Sequence, residues 1–274
     1  LGFETIVYEK APPRATIRLD RPDVLNAFDF RMLREFARAC EDASWDDEIR
    51  VVVVTGEGRA FCVGADLRSW GEDLLGNSKE YWKWFGAFKD MHDRLREIGK
   101  PTLARINGIC VGGGNELQMA CDLAVMVDDT FIRHVGPEHG SVPAGGATQW
   151  LALFVGDRRA REIVLMCEPI PAKTCEEWGL VNWAVPPDVL RFLTSLLRPG
   201  MVTLETGKIK PENREQIAAV VKKRETSMST GIGFGIGIPH ASTDLIYDVV
   251  GAFGRSSLMF AVCPGETFTV FVVR

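Results

Sequence analysis

The order of strand-like and helical stretches predicts an α/β fold for the first two-thirds of the chain, followed by a smaller α/β module. Three observations carry this. Between residues 4 and 188, short apolar and β-branched runs alternate with stretches of helical period. A glycine triplet, Gly112 to Gly114, stands where one such run meets a helix. Past Pro186 and Pro187 the sequence changes character and becomes glycine-rich and polar-poor over 229–239. The boundary is therefore placed near 188, giving domains 1–188 and 189–274, with no internal repeat.

In order, residues 4–9 and 14–19 alternate and predict a hairpin turned at 11–14, APPR. RPDVLNAFD, residues 21–29, predicts a loop. Asp29 predicts the cap of a helix over about 30–42, with Met32, Leu33, Phe36 and Ala37 on one face. Val51 to Thr55 reads as a buried strand ending at Gly56. SKEYW opens a helical pattern over about 78–98, broken by Gly99 and Pro101. A strand over 102–107 runs into the glycine triplet, a helix follows to about Cys121, and a strand occupies 123–128. Residues 146–188 predict two or three short helices ending in GLVNWAVP. Residues 189–224 read as mostly helical, and 267–273 as a last strand.

The totals narrow the function classes. The chain has 274 residues and a net charge of −5, so nothing global points to nucleic acid or an anionic membrane. Lys222, Lys223 and Arg224 read as a solvated face. No apolar run approaches a membrane span. LGFETIVYEK places acids where a signal peptide would be basic and apolar, and it lacks an initiator Met. Seven cysteines without a CxxC pair suggest reduced, mostly buried thiols and a cytoplasmic location.

The glycine triplet carries the chemistry. Glycine removes the Cβ that would keep a ligand from the backbone N–H. Three in a row before a helix leave amides free at the positive end of its dipole, which suits a developing oxyanion. A phosphate would suit too, but the loop lacks the GxGxxG order and the Lys-Ser/Thr of a phosphate loop. Close helix–strand packing is the competing reading. A second stretch, AFCVGADL at 60–67, also places a glycine and a small residue at the end of a strand. Two amides from two loops are what an oxyanion hole needs.

Together these residues resemble the crotonase (enoyl-CoA hydratase/isomerase) superfamily over about 5–188. The matching pieces are RPxxxNA at 21–27, AFCVGAD at 60–66, KP at 100–101, NGxxxGGGNE at 107–116, CDL at 121–123, PAGGATQ at 143–149 and GLV at 179–181. The resemblance implies a crotonase-like spiral of ββα units that binds an acyl-CoA. It implies oxyanion amides on Ala65 and Gly113, and Glu116 as the acid or base beside the thioester. It also implies a CoA channel lined by Asp23, Val24, Ala27, Val63, Asp66 and Leu67. A homo-oligomer, trimer or hexamer, is expected by the same resemblance. No metal and no cofactor beyond the CoA moiety of the substrate are implied.

The pattern also breaks. Hydratases of the family carry a second glutamate about twenty residues after the first, and that position is Gly136 here. The segment RHVGPEHGS, 133–141, with GlyGly at 145–146, GlyAsn at 76–77 and CEP at 167–169, instead resembles dihydroxynaphthoyl-CoA synthases and ring-opening hydrolases of cyclic oxo-acyl-CoA. Water chemistry on an enoyl- or cyclic acyl-CoA is the expectation, with Glu138, His139 or Ser141 assisting Glu116. His134 replaces a residue that is usually small or amide-bearing. Isomerisation and a non-catalytic scaffold remain alternatives.

The tail, about 193–274, resembles a truncated enzyme IIA of the sugar phosphotransferase system, fructose/mannitol type. The matching pieces are LTSLLRPGMV at 193–202 and KRETSMSTGIGFGIGIPHA at 223–241. On that resemblance His240 would accept a phosphoryl group beside Arg224, and the chain would be a phosphocarrier or sensor.

Overall fold

Each buried run of the sequence becomes a strand, and successive strands feed two sheets in turn. The computed structural model describes residues 2–69, 76–195, 231–232, 236–237, 250–254, 257–262 and 269–273. The chain divides into two compact units, Leu1–Arg191 and Phe192–Arg274.

In the first unit, the larger sheet contains β1 (Ile6–Ala11), β2 (Arg14–Leu19), β3 (Val51–Gly56), β5 (Thr102–Ile106), β7 (Leu123–Val127) and β10 (Trp183–Val185), in the order β1-β2-β3-β5-β7-β10. Only the β1–β2 hairpin is antiparallel; the other pairings are parallel. The smaller sheet contains β4 (Ala60–Cys62), β6 (Ile109–Val111), β8 (Phe131–Arg133) and β9 (Ile170–Pro171). Helices are α1 (Phe30–Trp45), α2 (Ser78–Arg96), α3 (Gly113–Met119), α4 (Ala147–Val155), α5 (Asp157–Met166), α6 (Ala172–Glu177) and α7 (Pro187–Ser195). The succession β3-β4-α2, then β5-β6-α3, repeats a ββα unit, as the resemblance implies.

Local chemistry explains the elements. All six residues of β3 are buried, as expected of a parallel strand covered on both faces. Asp29 caps α1 by accepting from the Met32 amide at 2.7 Å. The face carrying Met32, Leu33, Phe36, Cys40 and Ala43 is buried against the sheet. Met91 and Leu95 of α2 join Ile17, Val52 and Val54 in the same core. Each such side chain contributes roughly 1.5–3 kcal/mol by leaving water. All six described cysteines are buried and unpaired.

The strand expected over 102–107 is β5, and a further short strand, β6, which the sequence pattern did not separate, stands between it and the glycine triplet. The chain crosses from β5 to β6 at Asn107 and Gly108. Asn107 replaces the missing ladder: Oδ1 accepts from the Gly56 amide at 2.9 Å, and Nδ2 donates to the Gly58 carbonyl at 3.0 Å. Asn26 does the same one layer away. It is fully buried, accepts from the Arg21 amide, and donates to the carbonyls of Glu57 and Ala60 at 2.9 Å each.

In the second unit, β11 (Gly231–Ile232) pairs antiparallel with β12 (Ile236–Gly237). β13 (Val250–Gly254), β14 (Ser257–Val262) and β15 (Thr269–Val273) form an antiparallel sheet. β15 falls within the last predicted strand, whereas β13 and β14 were not foreseen. Arg224 and His240 lie outside the described residues. Among the described residues no helix is long and apolar enough to cross a membrane.

Replacing Asn26 by Ala removes the side-chain partner of the Arg21 amide and of the Glu57 and Ala60 carbonyls. The expected outcome is a loss of about 2 kcal/mol, read as a lower urea midpoint with an unchanged slope.

Candidate active site

The site forms where β4 ends and α3 begins. Phe28 and Ala65 make a parallel bridge: the Phe28 amide donates to the Gly64 carbonyl at 2.7 Å, and the Asp66 amide donates to the Phe28 carbonyl at 2.9 Å. Since alternate residues of a strand turn their amides to opposite edges, the Ala65 N–H points away from Phe28. Gly113 is the first residue of α3, so its N–H has no acceptor within the helix. No hydrogen bond from either amide is found among the described residues.

The two turns touch. Gly64 has a φ of +85°, and a Cβ built there would stand 2.7 Å from the Gly113 nitrogen. Glycine at 64 is thus required twice, by conformation and by the close approach.

Glu116 lies one turn further along α3 and is only 3% exposed. Its Oε1 accepts from the amides of Gly145 and Ala147, at 2.7 and 3.1 Å, where α4 begins. Its Oε2 accepts no hydrogen bond among the described residues. Burial raises the Glu116 pKa to about 7, against the opposing pull of the Ala147, Gly145 and Gly146 amides. The Phe88 ring edge crowds the same spot, since a Cβ on Gly145 would meet Phe88 Cζ at 2.8 Å and Glu116 Oε2 at 2.9 Å. One oxygen is anchored, the other is uncommitted, and the group can exchange a proton near neutrality.

Other predicted residues have different surroundings. Glu138 bonds Arg133 through Oε1 at 2.6 Å, and Arg133 also donates to the Cys167 carbonyl. His139 is exposed in the short 3-10 turn Pro137–His139. Ser141 donates to the Val142 carbonyl at 3.4 Å. None of the three bonds Glu116, whose carboxylate accepts from the Gly145 and Ala147 amides.

The six residues expected to line a CoA channel fall on two segments stitched together. Asp23 and Val24 lie on the 3-10 turn Pro22–Val24, Ala27 is buried, Val63 is half-buried and Leu67 is exposed. Asp66 is buried with its carboxylate on Arg21 Nη2 at 2.9 Å, while Arg21 Nη1 donates to the Ala27 carbonyl at 2.6 Å. Asp66 therefore holds the seam between the segments.

Sequence reasoning missed a buried polar chain behind Glu116. Gln118 Nε2 donates to Asn115 Oδ1 at 2.9 Å, and Asn115 Nδ2 lies 2.8 Å from His134 Nε2. Burial lowers the His134 pKa to about 4. The available signal was the cluster of polar residues 115, 116 and 118 in an otherwise apolar helix.

Comparisons with known proteins bear on the family and the fold. The family model for enoyl-CoA hydratase/isomerase matches residues 14–197. A 6-oxocyclohex-1-ene-1-carbonyl-CoA hydrolase from Geobacter metallireducens is 34% identical over 194 residues, covering 66% of this chain and 51% of that protein. The chain thus spans about half the length of this curated relative. Among solved structures, an enoyl-CoA hydratase subunit from Geobacillus kaustophilus is 32% identical with a TM-score of 0.65, covering 81% of this chain and 82% of its own. An enoyl-CoA hydratase from Bacillus anthracis is 26% identical with a TM-score of 0.66, covering 82% and 83%.

The raised Glu116 pKa has a measurable consequence for stability. The fold favours the protonated acid, so stability falls as pH rises from the ordinary value of 4.5 through about 7. Glu116→Gln removes this dependence. Its melting temperature relative to the unsubstituted chain is expected to climb between about pH 5 and about pH 8, by the equivalent of 1–3 kcal/mol. A difference that is flat with pH would contradict the raised pKa.

Proposed function

This chain belongs to the enoyl-CoA hydratase/isomerase family, and from that premise we propose that it performs water chemistry on an enoyl-CoA. The Ala65 and Gly113 amides hold the thioester oxygen, and Glu116 moves the proton. The observation that carries the reading is Glu116 itself: a buried acid, anchored by one oxygen, one turn from an amide with no other partner.

The chemistry follows from charge. When water attacks the double bond, negative charge develops on the thioester oxygen. Two fixed amides bind that oxygen more tightly as the charge grows, which lowers the barrier. Glu116 takes the proton from the attacking water through Oε2 and returns it to the carbon beside the thioester. A single carboxylate can do both in turn, and a pKa near 7 suits both directions.

A cyclic oxo-enoyl-CoA is the substrate class we favour. The Geobacter relative is named as a hydrolase of such a compound. Once a first water has added to the double bond, a second water attacks the oxo carbon that adjoins the carbon bearing the thioester, and the bond between those two carbons breaks to leave a carboxylic acid. The electron pair passes to the carbon beside the thioester as the same kind of enolate, which then takes up a proton. One oxyanion hole therefore serves both water addition and ring opening.

Two measurements test this. Mass spectrometry of products from straight-chain and cyclic enoyl-CoA substrates is expected to show the gain of one water, or of two where a hydrated ring is opened. No mass change alongside a moved double bond would indicate isomerisation. No turnover of any substrate would defeat the reading. Glu116→Gln is expected to lower kcat by about 10²–10⁴-fold while binding of the thioester survives. Unchanged turnover would remove Glu116 from the mechanism.

A further inference from the structure

We infer that His134 is a positioning residue: through Asn115 it sets the first turn of α3, and with it the Gly113 amide and the Glu116 carboxylate. This rests on the proposed acyl-CoA chemistry only for its kinetic test.

The geometry is a two-point clamp. Strand β8 ends at Arg133, whose carbonyl accepts from the Gly112 amide at 2.8 Å. The next residue, His134, meets Asn115 at 2.8 Å. One strand end therefore grips α3 on both sides of Gly113, by backbone at 112 and by side chain at 115. Glu116 follows directly. All the side chains concerned are buried: Asn115 is 0% exposed, His134 1% and Gln118 2%.

The hydrogen-bond roles are fixed by exclusion. Gln118 Nε2 donates to Asn115 Oδ1, so the other end of that amide, Nδ2, is a donor. His134 Nε2 must then accept, and the ring carries its proton on Nδ1. The neutral imidazole is what burial favours, since it holds the His134 pKa near 4. The chain continues from Gln118 to the Leu180 carbonyl at 3.5 Å, just before β10. These bonds tie the turn that bears the acid to β8 on one side and to the segment before β10 on the other.

His134 touches no reacting atom in this scheme, so its removal should affect the chemical step rather than binding. A misplacement of about 1 Å at a reacting group can lower turnover on the order of 10²-fold. In His134→Leu, kcat is expected to fall at least about tenfold with KM within about threefold. His134→Gln places an acceptor oxygen near the Nε2 position and is expected to recover most of the loss. Unchanged kcat in folded His134→Leu, or an equal loss in His134→Gln, overturns the inference. If His134→Leu does not fold, Asn115→Leu removes the same bond from the other side and is read in the same way.

A second measurement does not need turnover. The infrared carbonyl band of protonated Glu116, assigned by its absence in Glu116→Gln, is followed against pH in the full chain. In His134→Leu a loosened turn admits water, and the midpoint is expected to drop by about one unit, with His134→Gln unchanged. An unmoved midpoint in His134→Leu overturns the inference even if no enoyl-CoA is turned over. Failure of turnover in the unsubstituted chain would count against the acyl-CoA reading alone.

Discussion

Two backbone turns touch at Gly64 and Gly113, and the site is arranged around that contact. A Cβ on residue 64 would stand 2.7 Å from the Gly113 nitrogen, so the approach exists only because position 64 carries no side chain. The spiral delivers the contact. β4 and β6 pair in the smaller sheet, and each leads within two residues to one of the turns. Neighbouring strands therefore become neighbouring turns.

Glu116 completes the arrangement through a balance of opposed terms. Burial drives the acid toward its neutral form, while amides at the start of α4 favour its anion. Burial outweighs the amides, and the balance leaves the pKa at about 7. Had the carboxylate more donors it would stay ionised; with none it would stay protonated. The absence of a basic side chain among its hydrogen-bond partners matters equally, since a lysine or arginine there would hold it ionised. Helix geometry supplies half a charge where a full one would be too much.

Much of this was legible in the sequence. The alternation of elements, the cap at Asp29, the glycine triplet and the acid behind it all follow from local pattern, because each is decided within a few residues. The smaller sheet was not legible in that way. β4, β6 and β8 have three residues each, too few for a period-two pattern to show. The split between β5 and β6 depends on Asn107 side-chain bonds to residues about fifty positions earlier. Glu138, His139 or Ser141 was expected to assist Glu116; the Glu138 carboxylate bonds Arg133, five residues back, a pairing that local sequence pattern does not reveal. The Asn115–His134 pair was hidden for the same reason: nothing in a single chain announces which two buried polar groups will meet.

The convergence of the Ala65 and Gly113 amides is tested most directly by a crystal structure of the full chain with an acyl-CoA thioester lacking a reactive double bond. The account expects the thioester oxygen about 2.7–3.1 Å from both amide nitrogens, with the carbon beside it facing Glu116 Oε2. An oxygen bonded to neither amide, or a thioester seated away from the Gly64–Gly113 contact, would contradict it.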